Sequence, residues 1–152
     1  MQKVILFFVG LVIVAALLGV FAWYEDKGEP KFANADDVIL VKRGRAIYGA
    51  HCAACHGKNL EGQPNWRQRR ADGRLPAPPH DETGHTWHHS DAQLFEVTKR
   101  GSAALAGPSY RSDMAAFSGV LTDAEIWAAL AYIKSRWPKP IRLRNAQINA
   151  RQ

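Results

Sequence analysis

Sulfur is scarce in this chain. Among 152 residues there are two cysteines and two methionines, one of them the initiator. A structural zinc site usually takes four cysteines, or two cysteines with two histidines at a set spacing, and the stretch that holds both cysteines supplies neither set. Acidic residues are also in deficit, 14 against 20 basic ones, for a formal charge of +6. A basic balance suits nucleic acid, an anionic membrane surface or an acidic protein partner. No nucleic-acid-binding motif is present, which leaves the last two. There is no internal repeat, and the length suits one domain with one modest core.

Charge is missing altogether from Val4 to Tyr24. That run matches the ~20 apolar residues a helix needs to cross a bilayer. Lys3 and the amino terminus precede it, and Glu25, Asp26 and Glu29 follow. The positive-inside rule then puts the N-terminus in the cytoplasm and the rest outside, with Trp23 and Tyr24 at the interface. Residues 1–24 are thus expected as a transmembrane anchor. The alternative is a cleaved signal peptide, for which Val20-Phe21-Ala22 offers small residues, although the run exceeds the usual signal core. Residues 25–35, with Gly28 and Pro30, read as a short linker.

The two cysteines stand together in Cys52-Ala53-Ala54-Cys55-His56. Two thiols three positions apart with a histidine directly after is the attachment signature of a c-type haem. Each thiol adds across one porphyrin vinyl group, and the two-residue gap matches the vinyl separation. His56 then falls under the iron as proximal ligand. A redox dithiol has no use for the histidine and wants a βαβ context that is absent. One covalent haem c is therefore expected, since no second such motif exists. Both cysteines being committed, the usual cysteine argument for the compartment is silent.

Around this motif the chain reads as helical. Asn34 or Asp36 is expected to cap a helix carrying Val38, Val41, Arg45 and Tyr48. Gly44 inside it costs about 1 kcal/mol relative to Ala, so a packing reason is expected. Gly57 to Gly73 reads as a loop in which Arg67, Arg69, Arg70 and Arg74 cluster, either to dock an acidic partner or as a solvated loop. Leu75-Pro76-Ala77-Pro78-Pro79 follows. In Gly84-His85-Thr86-Trp87-His88-His89 four readings stay open: a metal site such as copper, an iron ligand, contacts from Trp87 and a histidine to a haem propionate, or a plain surface loop. Ser90 and Gln93 form a capping box for a helix that Gly101 ends. Ser102 to Ser112 is expected as a loop leading to Met114. Thr122 and Glu125 form a second capping box, opening a helix with Ile126, Leu130 and Ile133 on one face and Trp137-Pro138 at its end. The tail, residues 139–152, is polar and basic; disorder and alignment along a partner or anionic lipid both fit it.

In this order the marks resemble a class I cytochrome c of the membrane-anchored bacterial type: a helix with Gly44 and Tyr48 ahead of the haem motif, a lone internal Met114, and a last helix carrying Ala128-Ala129-Leu130-Ala131-Tyr132-Ile133. The resemblance covers residues 36–138. It implies an all-α class I cytochrome c fold, a small helical bundle wrapped around one covalent haem, here with an N-terminal transmembrane helix. It implies that Gly44 lets the first helix cross closely over the last, with Tyr48 packed at the crossing. It implies that a proline carbonyl accepts from the second nitrogen of the proximal histidine; spacing does not choose among Pro76, Pro78 and Pro79. It implies Met114 as the second axial ligand, a soft thioether that favours ferrous iron and raises the potential. Family members usually carry proline after that methionine. Ala115 stands there instead and weakens the rigidity of the loop.

The expected site is therefore Cys52 and Cys55 for attachment and His56 and Met114 for the iron, with no catalytic residue. Two strong ligands leave the iron no open position, so its chemistry is one-electron exchange. The function expected is a membrane-anchored carrier of single electrons between respiratory complexes. Its partners are electron-donor and electron-acceptor redox proteins, with no nucleic acid and no small-molecule substrate. The haem domain belongs on the periplasmic side of the inner membrane, because attachment in the resembled bacterial proteins is completed there. Two alternatives stay open: a fixed haem subunit of a larger membrane oxidoreductase, and a haem sensor or small peroxidase in which Met114 is displaced.

Overall fold

A computed structural model describes residue 10 and residues 12–20, 32–107 and 109–151. Among the described residues there is no β-strand. From residue 38 onward the elements are α1 (Val38–His51), α2 (Ala53–His56), a 3-10 turn (Thr86–His88), α3 (Asp91–Arg100), α4 (Ser102–Ala106), α5 (Asp123–Ser135) and α6 (Lys139–Asn149).

The cap of α1 is Asp37, whose carboxylate accepts from the N–H groups of Ile39 and Leu40 at 2.9 and 3.0 Å. This corrects the expectation for Asn34 or Asp36; the Asn34 side chain accepts from Asp36 N–H instead. Leu40, Gly44, Ile47 and Tyr48 are buried, a spacing that makes one stripe of a helix. That stripe lies on α5, which Thr122 and Glu125 open with the expected capping box. Helix α5 buries Ala124, Ile126, Ala128 to Ala131 and Ile133, so it is central to the bundle. The two helices cross at Gly44, where an added Cβ would drive into the Ala128 carbonyl. Tyr48 and Tyr132 flank the crossing with ring centroids 5.4 Å apart. The packing reason for Gly44 is thus backbone contact.

Helix α3 carries the expected Ser90–Gln93 box and stops at Gly101. Its Phe95 stacks on Trp127 of α5 at 4.3 Å. The segment from Ser102 is not all loop, because its first five residues, rich in alanine, form α4. The basic tail is a docked helix, α6, rather than a disordered or free strand of chain. Its Asn145 is wholly buried and donates to the carbonyls of Trp87 and His89 at 3.1 and 2.8 Å. Asn149 and Lys134 both converge on Asp91, the latter at 2.6 Å with both side chains mostly buried.

Of the expected anchor, residues 12–20 are helical with exposed apolar side chains. Among the described residues no helix is long and apolar enough to cross a membrane. Residues 1–9, 11 and 21–24 of that expectation, and 25–31 of the expected linker, lie outside the described residues.

Candidate functional site

The site begins where α1 ends. Cys52 N–H still bonds Tyr48 O at 2.9 Å, and the chain then makes the single turn of α2, with His56 N–H on Cys52 O at 2.9 Å. Cys52, Cys55 and His56 therefore share one short turn, as the attachment geometry requires. Tyr48, buried to 1%, donates its hydroxyl to Gly57 O at 2.8 Å and fastens that turn to the helix crossing. Both thiols are free; Cys55 is exposed and Cys52 partly buried. Burial, then the neighbouring Cys55, pushes the Cys52 thiol up to about 11.

His56 is buried, and its Nδ1 lies 2.8 Å from Pro78 O. A carbonyl only accepts, so Nδ1 carries the proton and Nε2 keeps its lone pair. That is the form of imidazole that binds a metal, oriented by the bond on its other nitrogen. Burial also lowers the His56 pKa, and the Pro78 bond opposes this less strongly. Among the three candidate prolines the structure thus selects Pro78. A tight turn brings it there: Gly62, at φ 69°, donates its N–H to His56 O at 2.8 Å and lies so close to Pro78 and Pro79 that a Cβ would strike their backbone.

On the same side, the ring of His80 stacks on His56 with centroids 4.0 Å apart and planes 23° from parallel. Its pKa is held well below the ordinary histidine value by burial, then by His56 and His85. Sequence reading passed over His80, which carries no motif of its own. Only the fold of the proline loop brings it to His56.

Met114 sits elsewhere, on a partly exposed segment past α4. Its sulfur accepts from the Ser102 hydroxyl at 3.2 Å and its N–H donates to Ser112 Oγ at 3.1 Å. Its neighbour Asp113 takes Arg70 at 3.1 Å and Arg74 at 3.3 Å. Two members of the arginine cluster therefore tie the 63–74 loop to the methionine segment. Arg67 lies over Trp66 and Arg69 over Tyr110. Three residues past Met114, Phe117 meets His51 edge-on at 6.4 Å, beside the haem motif.

The three histidines of 85–89 do not converge on one point. His85 stacks on Trp66 and touches His89 edge-on, while His88 stacks on Trp87 at 3.6 Å. Among the described residues no group of three or more His, Cys, Asp or Glu side chains is placed to hold a metal ion, against the copper reading. Trp87 is buried with its indole N–H toward Glu82 O, against the propionate reading for that group.

Two thiols and an Nε2 lone pair on one turn, with Nδ1 engaged from behind, fit a covalent haem. A haem c in that position supplies reversible one-electron chemistry at its iron. The protein's part is to fix the histidine plane through Pro78 and to keep water from the ring by burial.

Comparison with known proteins agrees with this geometry. The family model for cytochrome c matches residues 41–137. A curated relative, the cbb3-type cytochrome c oxidase subunit CcoP of Azospirillum sp. (strain B510), is 30% identical over 100 residues. The match covers 66% of this chain and 30% of the relative, so the chain spans less than a third of that protein's length. No solved structure matches the chain. The chain belongs to the cytochrome c family, and with that membership come haem c and a role in electron transfer.

Proposed function

We propose that this protein is a membrane-anchored cytochrome that carries single electrons between respiratory complexes, with one haem bonded to Cys52 and Cys55 and its iron held by His56 and Met114. The observation that carries the reading is the Nδ1–Pro78 bond, which leaves Nε2 of His56 free one turn from two unpaired thiols. Met114 is the one internal methionine, and its segment is tied to the loop that precedes the proline run. Iron closed on both sides has no position for oxygen, peroxide or substrate. It exchanges electrons with donor and acceptor proteins and performs no catalysis of its own. The charge-free run from Val4 to Tyr24 anchors the domain at the periplasmic face of the inner membrane, and tethering raises its effective concentration near membrane partners.

The test is the weak far-red absorbance that methionine ligation gives ferric haem. Oxidised protein should show the band and the Met114→Ala variant should lack it. A band that persists in the variant removes Met114 from the iron.

A second reading is a fixed haem subunit of a larger membrane oxidoreductase. The name of the relative, an oxidase subunit, favours it, as does the α6 surface added beyond the matched residues. Mild detergent extraction and sizing separates the two: a lone monomer argues for the shuttle, and a stable large complex for the subunit.

A further inference from the structure

His80 has no part in the site as assigned above, yet its environment is built with care on three sides. Its backbone N–H donates to Leu60 O at 2.7 Å. Its carbonyl accepts from the Trp137 indole N–H at 2.7 Å. Its Nδ1 lies 2.7 Å from the Thr86 hydroxyl. Leu60, Thr86 and Trp137 are all buried, at 1%, 4% and 3% exposure. Behind Thr86, the buried Asn145 of α6 holds the carbonyls on either side of His88. Leu60 and Trp137 thus pin the His80 main chain and Thr86 its ring, and the face that ring presents lies flat on His56.

The Nδ1–Pro78 bond fixes one edge of the His56 ring but leaves the ring free to rock about that edge. A flat partner 4.0 Å away blocks the rocking. It also puts an electron-rich aromatic face against the ligand. Loss of an electron from the iron leaves added positive charge that is shared with the bound imidazole, and an aromatic face attracts positive charge. We propose that His80 is a positioning residue for the proximal ligand, setting the plane of the His56 ring and favouring the oxidised state. The inference rests on His56 being the proximal ligand.

The test uses the full-length holoprotein with His80→Leu and His80→Phe. Leucine fills the space without a flat face; phenylalanine restores the face without the nitrogens. Both variants should keep the covalent haem and the far-red band. In His80→Leu the one-electron equilibrium with a fixed redox mediator should move toward the reduced form by about two- to fivefold. The low-temperature electron paramagnetic resonance spectrum of the oxidised form should change as well, because its spread reports the ligand plane. His80→Phe should return both readouts most of the way to the unmutated protein. An unmoved equilibrium and spectrum in His80→Leu overturns the proposal, and so does a phenylalanine variant as displaced as the leucine one. Should His80→Leu fail to fold, proton NMR of the unmutated oxidised protein decides. The His80 ring protons should be shifted by the paramagnetic iron well beyond those of His88, and unshifted His80 signals overturn the proposal. Absence of covalent pigment or of the far-red band in the unmutated protein is a distinct result, which defeats the proposed function itself.

Discussion

His56 is 8% exposed and its ring is gripped on two sides, by the Pro78 carbonyl and by the His80 face. Met114 rides on a partly exposed segment whose charged outside ties are Arg70 and Arg74 to Asp113. Those ion pairs are about half exposed on both partners, and such pairs are worth about 0–1 kcal/mol each. The proximal side is therefore fixed by the core itself, through Tyr48, Gly62 and Trp137, and should persist as long as the fold does. The methionine side is held by these screened pairs, by the Ser102 hydroxyl on the Met114 sulfur and by the Phe117 and Ser118 N–H groups on the Thr98 and Lys99 carbonyls, and Ala115 gives it none of the rigidity a proline would. With Met114 on the iron as proposed, the iron should open there first under heat or salt.

Breaking the comparison altogether needs removal of what both regions share. Changing Cys52 and Cys55 together to alanine should abolish covalent pigment and, with it, cooperative thermal unfolding. A pigmented double variant after acid–acetone extraction would refute covalent attachment. Gly44→Val comes next, because its Cβ must displace the Ala128 backbone. The loss expected is about 3 kcal/mol or more, read from a guanidinium transition, and an unchanged midpoint would mean the helices do not touch there.

The comparison is sharpened by striking one side only. Met114→Ala should keep the pigment and the fold but lose the far-red band and shift the equilibrium toward oxidised iron. Asp113→Asn is milder. It should cost below about 1 kcal/mol, lower the temperature at which the far-red band fades, and lose that effect in high salt. Equal fading in both proteins at low salt would show that the ion pairs do not hold the loop.

The smallest effect lies away from His56 and Met114. Glu125 is held below its usual pKa by the Thr122 N–H and hydroxyl and by Arg43. A carboxylate depressed in the folded state stabilises fully above its unfolded value and loses that contribution as pH falls through the folded one. Stability should therefore decline on acidification below the ordinary glutamate range, and Glu125→Gln should flatten that decline. Identical acid slopes in the two proteins would show that the cap carries no charge-dependent stability.

What was legible in the sequence was chemically local. Cys52, Cys55 and His56 declare their cofactor by spacing alone, and the Ser90 and Thr122 boxes mark helix starts because donor and acceptor are three residues apart. Gly44 was readable because a glycine inside an apolar helix wants a reason. The choice of Pro78 was not readable, since it depends on the Gly62 turn that carries the proline loop back to His56. Asp37 won the cap from its neighbours through backbone geometry that composition does not encode. The roles of Asp113 and Asn145 rest on partners some 40 to 60 positions away. The α6 helix, whose Ile141, Leu143 and Ile148 are interrupted by polar residues, shows its inward face only once Trp87 and Asp91 are in place to receive Asn145 and Asn149.

The most direct measurement on the closed iron is carbon monoxide added to the reduced full-length protein at neutral pH. With His56 and Met114 both bound, the visible spectrum should stay unchanged. Rapid formation of a carbon monoxide complex would reveal a vacant or readily vacated position and contradict a protein made only to pass electrons.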